Sequence, residues 1–245
     1  MRSVLNALDV VERLGRDGPL GVGELARRTG LAKSTAQRCL DTLATAGWIE
    51  RVSGEAADSA GSSWQLSDRF RTITADTLAA LVARARPVLA ELASQVGESV
   101  HLVRLDGTDV ELLHREAGPG FIQVVIPDGF RVPAYAAATG KAMLAALDPA
   151  ELGDHLPDHL RELTPATVAS RRRLDDELDV IRSRGYAEND GEWNESVAAI
   201  ASAITVVGRP IAAVSISGTP GSLDAARRRE LAPLAIRCAH VLSAT

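Results

Sequence analysis

The sequence predicts an α+β chain: a small N-terminal winged helix-turn-helix, then a larger domain with a mainly antiparallel sheet flanked by helices. Three observations carry that prediction. Three helical segments near the N-terminus are punctuated by glycines and followed by two short strand candidates. Farther on, strand and helix patterns mix around a hairpin, which favours antiparallel pairing over a doubly wound parallel sheet. The length of 245 residues and hydrophobic content of 46% exceed the needs of one average domain and can fill two cores.

The elements follow in order. From Val4, the residues Val4, Ala7, Leu8, Val11 and Leu14 recur at the spacing of an amphipathic helix, which Gly15 and the Asp17-Gly18-Pro19 turn end. A short second helix spans Glu24 to Arg28 with Gly23 as its N-cap, and Gly30 sits where a helix stop needs positive φ. A third helix starts at Lys33 and runs to about Ala46, where Gly47 ends it. Trp48 to Val52 and Trp64 to Leu66 read as two strands joined by a tip rich in Ser, Ala and Gly, which makes a wing. Asp68 to Arg84 is periodic through Phe70, Ile73, Leu78 and Leu81 and reads as a connecting helix. Proline disfavours helix in the residue before it, so a boundary is expected at Arg86-Pro87. The expected division is 1–67 for the winged helix, 68–85 for a linker helix and 86–245 for the second domain.

In that second domain a helix is expected over Val88 to Val96. Strands follow at Ser99 to Leu105 and Val110 to Arg115, around Asp106-Gly107, and at Phe121 to Ile126. Helices are expected at Thr139 to Leu147 and Leu174 to Arg184. The last strands, Val197 to Val206 and Ile211 to Ser217, flank a hairpin at Gly208-Arg209, and a final helix starts at Asp224.

Charge and cysteine content narrow the function classes. With 27 Lys and Arg against 32 Asp and Glu, the net charge is -5, so any nucleic-acid surface must be local rather than a basic coat. Cys39 and Cys238 form no clip, which suits a reduced, cytoplasmic protein. No signal-peptide core follows Met1, and no apolar run approaches the ~20 residues of a membrane span. A soluble protein without membrane contact is expected.

Ala36, Cys39, Leu40 and Leu43 fall on one side of the third helix and leave Ser34, Gln37, Arg38 and Asp41 on the other. Arg can pair with guanine O6 and N7 and Gln with adenine N6 and N7, while the hydroxyls of Ser34 and Thr35 can reach base edges or phosphates. Lys33, near the helix start, suits a phosphate. The candidate DNA-binding set is therefore Lys33, Ser34, Thr35, Gln37 and Arg38. The alternative, solvated positions on a helical bundle, is weakened by the wing that follows.

The block Gly30-Leu31-Ala32-Lys33-Ser34-Thr35-Ala36-Gln37-Arg38, then Leu43 and Ala46-Gly47-Trp48-Ile49, resembles the N-terminal domain of the IclR family of bacterial transcription regulators. Pro133-Ala-Tyr-Ala-Ala-Ala-Thr-Gly-Lys-Ala-Met-Leu-Ala145 resembles that family's small-residue, Gly-Lys, Leu-Ala segment. Gly185-Tyr186, Ile200 to Ile204 and Ala212 to Gly218 match its later blocks in order. The resemblance spans essentially the whole chain. It implies a GAF-like effector domain and a homodimer or dimer of dimers on a pseudo-palindromic double-stranded DNA operator. Two departures stand out: Ala32 replaces the frequent proline or serine before the recognition helix, and the wing tip, Ser53 to Ser63, carries Glu55 and Asp58 without a basic residue.

The C-terminal half offers no constellation for catalysis. Thr139-Gly140-Lys141 lacks the spacing of a phosphate loop; the small residues Ala136 to Gly140 instead let the chain approach a ligand and begin a helix whose N–H groups can hold an anion. His155 and His159 have a metal-ligand spacing, but Pro157 between them breaks a helix, so a solvated polar loop is expected and no metal or cofactor. His101 and His114 read as satisfied sheet residues. Ser215 and Ser217 alternate on a strand and face one side, without a nucleophile turn around them. Matched to the family's blocks, the resemblance implies an effector-binding set of Ala138, Thr139, Asn189, Val197, Ala199, Ser215 and Ser217. The alternative, above all for Val197 and Ala199, is plain core packing.

The expectation is thus a non-enzymatic, ligand-responsive DNA-binding regulator. A repressor is favoured over an activator, and its effector is a small metabolite such as an organic acid. The rival readings are a constitutive regulator whose C-terminal domain only oligomerises, and an enzyme carrying an appended winged helix.

Overall fold

The computed structural model describes residues 2–52, 63–119 and 131–243. Residues 53–62 of the wing tip and the strand expected at Phe121 to Ile126 lie outside the described residues. The chain divides into two compact units, Met1–Ala80 and Leu81–Thr245.

In the first unit, α1 (Arg2–Asp17), α2 (Val22–Thr29) and α3 (Lys33–Thr45) pack around Val10, Leu14, Leu25, Cys39 and Leu40. Leu25 and Leu40 are fully buried, each worth about 1.5–3 kcal/mol of transfer from water. The strands β1 (Leu20–Gly21), β2 (Ile49–Arg51) and β3 (Ser63–Leu66) form an antiparallel sheet in the order β1-β3-β2, with Ile49 and Trp64 closing the core. Gly30 and Gly47 both take positive φ, and so end α2 and turn the chain after α3. The structure corrects the start of α2: Gly21, not Gly23, is its N-cap, because Leu20 and Gly21 are drawn into pairing with Trp64 and Ser63.

A second correction concerns α4 (Asp68–Val96), which is one helix through Pro87 rather than two helices parted at Arg86-Pro87. Leu81, Ala85, Leu89, Leu92 and Val96 bury one stripe of it, while Ala83 and Pro87 lie on the exposed side. The carbonyl of Ala83, which loses its N–H partner to the proline ring, therefore faces water, and the helix continues. The last helix, α7 (Ala225–Ser243), carries Pro233 on an exposed position for the same reason.

The second unit is built on a six-stranded antiparallel sheet, β6-β5-β4-β9-β8-β7. Its strands are β4 (Ser99–Asp106), β5 (Asp109–Glu116), β6 (Arg131–Pro133), β7 (Ala187–Asp190), β8 (Ala198–Val206) and β9 (Arg209–Gly218). The period of two separates the faces of β9. Ala212, Val214 and Ile216 join the core under α7 and residues 81–96 of α4, whereas Ala213 joins the core under α5 (Ala138–Ala146) and α6 (Arg171–Arg184). Ser215 and Ser217 share the face of Ala213. The hairpin between β8 and β9 turns at Val207-Gly208, one residue before its expected place, and both residues have positive φ. That is the backbone of a two-residue turn whose twist suits antiparallel strands.

Candidate DNA-contact helix and effector cavity

On α3 the five sequence candidates occupy the first six residues. Lys33, Ser34 and Arg38 are exposed, and Thr35 and Gln37 are half-buried. Ala36, Cys39 and Leu40 bury the opposite face against α1 and α2. Ala32 is the N-cap and, having no side-chain acceptor, makes no capping hydrogen bond; its carbonyl accepts from Thr35 N at 2.8 Å and Ala36 N at 3.0 Å. Gln37 Nε2 donates to Asp41 Oδ1 at 2.8 Å, and Arg38 is the exposed cation beside it. The preceding α2 is tied to the end of α1, where its Arg28 reaches Asp17 at 2.7 Å, and Arg28 also meets Glu24 of its own helix at 2.6 Å.

In the C-terminal unit all seven candidates line one cavity between the sheet and the start of α5. Its empty space is about 490 Å³, mouth included. The described interior therefore suits a small molecule. Ser215 and Ser217 stand on its floor with their hydroxyls 3.4 Å apart. Ala138 and Thr139 are the first residues of α5, whose N-cap, Ala137, has no capping side chain, so the N-terminal N–H groups of that helix are left to the cavity's contents. Asn189 is buried and braces the wall: its Nδ2 donates to Ala136 O at 3.2 Å and its Oδ1 accepts from Glu192 N at 2.9 Å. Val197 and Ala199 add apolar surface.

Two sequence readings need correction here. Gly140 does not make room for a ligand: a Cβ on it would stand 2.1 Å from Ala134 O, so glycine lets α5 lie directly on the Ala134 backbone. His101 is not a satisfied sheet residue. It is fully buried on β4, lines the cavity, and has no partner at either ring nitrogen among the described residues. His114, by contrast, meets Glu116 Oε1 at 2.6 Å, and His155, in a 3-10 turn over Leu152–His155, meets Gly107 O at 2.9 Å. Among the described residues no group of His, Cys, Asp or Glu is placed to hold a metal ion, and no helix is long and apolar enough to cross a membrane.

Behind the cavity wall, Lys141 is fully buried and bonds Glu177 at 2.7 Å and Glu192 at 2.5 Å. Burial outweighs the attraction of Lys141 and pushes the Glu192 carboxyl up to about 7.

Residues 75–244 match the model of the bacterial transcriptional regulator IclR C-terminal domain, and residues 3–53 match the IclR helix-turn-helix domain. The chain belongs to the IclR family. It is 32% identical over 247 residues to the HTH-type transcriptional regulator BhcR of Paracoccus denitrificans, covering 99% of this chain and 86% of BhcR. It is 30% identical to the acetate operon repressor of Salmonella typhimurium, over 98% of this chain and 88% of that protein. Among solved structures, a PobR inducer-binding domain from Acinetobacter in complex with 3-hydroxybenzoic acid aligns with a TM-score of 0.60 and 27% identity. That alignment covers 66% of this chain and 96% of that one.

IclR-family proteins are transcription regulators rather than enzymes, and this chain carries both family domains. Sequence reasoning missed three features of its IclR C-terminal domain: the apolar cavity walls Val103, Val110, Leu112 and Val132, the lining Trp193, and the buried Lys141. Strand alternation could have placed Val103 and His101 on one face, since they are two apart on β4. No local pattern links Lys141 to acids 36 and 51 residues away.

Proposed function

We propose that this IclR-family regulator is a ligand-responsive repressor that binds a pseudo-palindromic operator as a dimer or dimer of dimers. Lys33, Ser34, Thr35, Gln37 and Arg38 form its contact set for DNA. The effector is a small metabolite, an organic acid in the first instance, held by Ala138, Thr139, Asn189, Val197, Ala199, Ser215 and Ser217. The observation that carries this reading is the convergence of those seven residues, spread over some 80 positions of sequence, on one cavity at an uncapped helix start. The likeness to a PobR domain bound to 3-hydroxybenzoic acid supports the ligand class.

The test is an operator-binding titration with and without candidate acids. Ser215→Ala with Ser217→Ala should bind operator with native affinity yet respond only at much higher effector concentration, since each hydrogen bond to a charged ligand group is worth about 1.5–3 kcal/mol. Arg38→Ala should cost about 1–3 kcal/mol on the operator and less on random duplex, whereas Lys33→Ala should weaken both and lower the salt slope by about one. A native effector response in the double serine variant would remove those serines from the site.

A further inference from the structure

His101 sits in the middle of the cavity floor, on β4 between β5 and β9, with Arg115 and Ser215 as its cross-strand neighbours. An imidazole always has a donor or an acceptor to satisfy at each nitrogen. Here the ring is 0% exposed, and neither nitrogen has a partner among the described residues. Buried polar groups are nearly always bonded, so the ring nitrogens of His101, which lines the cavity, call for a partner from whatever fills it.

The charges around the ring say what that occupant brings. On β5, Arg115 acts on the imidazole, and burial together with Arg115 holds it neutral, its pKa pushed down to about 4. Among the described residues, the other elements lining the cavity contribute no titratable group to the lining: Thr139 comes from α5, Asn189 from β7, Ala199 from β8 and Ser215 and Ser217 from β9. Lys141 and Glu192 engage each other behind α5. The described lining therefore holds no carboxylate to repel an anion, while the start of α5 and the hydroxyls attract one. An anionic oxygen beside the ring would reverse the effect of burial and favour imidazolium. The apolar walls, Val103, Val110, Leu112 and Val132, fit a carbon skeleton rather than an inorganic ion.

We infer that His101 contacts the effector directly, and that the effector is a small carboxylate bound together with one proton, which the imidazole takes from solvent. This rests on the effector-binding reading above. Proton uptake makes binding tighter as pH falls: the gain is up to tenfold per unit between the ring's free and bound titration points.

The experiment is calorimetric titration of the full chain with acetate, propanoate, lactate, benzoate and 3-hydroxybenzoate, and with their amides. It is run from pH 5.5 to 8 in buffers of different ionisation heat. Native protein should bind a carboxylate with uptake of up to one proton and ignore the amides. His101→Gln and His101→Asn, each checked by a melting curve, should bind the same acid at least tenfold more weakly at pH 6, with no proton uptake and a flat pH profile. The proton count on native protein stands even if both variants unfold. A carboxylate that binds native protein without proton uptake would overturn the role of His101 while leaving the effector site intact. So would one that binds the variants as tightly as native. Amides that bind as well as acids would overturn the anion. If no compound binds or alters operator affinity, both this inference and the effector reading fall.

Discussion

Replacing Lys141 by methionine keeps the length of the side chain and removes the charge that holds two carboxylates behind the cavity wall. The side chain of Glu192 is 11% exposed and that of Glu177 27%, so the loss falls chiefly on Glu192, whose Oε2 has no partner among the described residues. Removing one partner of a buried ion pair costs about 3–5 kcal/mol. That cost depends on pH in a definite direction. A carboxyl raised by burial keeps its proton in the folded state where the unfolded chain has lost it, so stability is present below about 4.5 and is lost as pH rises towards 7. Without Lys141 the window extends upward. The full penalty of Lys141→Met is therefore expected at pH 8, and a smaller one at pH 6, by up to about 1.4 kcal/mol per unit. Urea unfolding followed by tryptophan fluorescence at both pH values reads the difference. Lys141→Met with Glu192→Gln should recover most of the loss, because the uncompensated carboxylate is gone. A single variant within about 1 kcal/mol of native at pH 8, or an equal penalty at both pH values, would refute the argument.

Further outcomes are expected elsewhere. Gly140→Ala puts a methyl 2.1 Å from Ala134 O and must lift α5 off the neighbouring backbone; a loss of about 1–3 kcal/mol is expected in thermal melts, and an unchanged Tm would contradict that packing. Val207, 97% exposed, is a β-branched residue at φ 51, so Val207→Asn or Val207→Gly should stabilise the hairpin by about 1 kcal/mol. A lower melting temperature in both variants would count against strain at that turn.

The winged helix-turn-helix was legible because its signals are local: a period of 3.6 on α1 and α3, and glycines at Gly30 and Gly47 whose positive φ ends each turn. The two-residue strand β1 was not, since two residues display no period. β7 also escaped notice, as Glu188 and Asp190 break its apolar pattern. The structure gives the reason for those acids: Arg228 of α7 reaches Glu188 at 3.0 Å and Asp190 at 2.8 Å. Pro87 misled because local preference disfavours helix before proline, and tertiary packing of Leu81, Ala85 and Leu89 overrode it. In the cavity, the family resemblance pointed to the seven candidates, but His101 looked ordinary in sequence. Whether a strand histidine is satisfied depends on neighbours contributed by β5 and β9, which the linear order does not reveal.

The close seating of α5 on the backbone of Ala134 divides the cavity into two kinds of position. On the helix side the boundary is the start of α5, lined by Ala137, Ala138 and Thr139, and the next residue, Gly140, has no room for a Cβ against Ala134. On the sheet side the boundary is made of side chains that end in open space, from Val103 and His101 to Ser215 and Ala199. A change in the first group moves a helix, whereas a change in the second only reshapes the floor. Under the proposed effector role, single floor substitutions would therefore change which small molecule fits while the seating of α5 stays as it was.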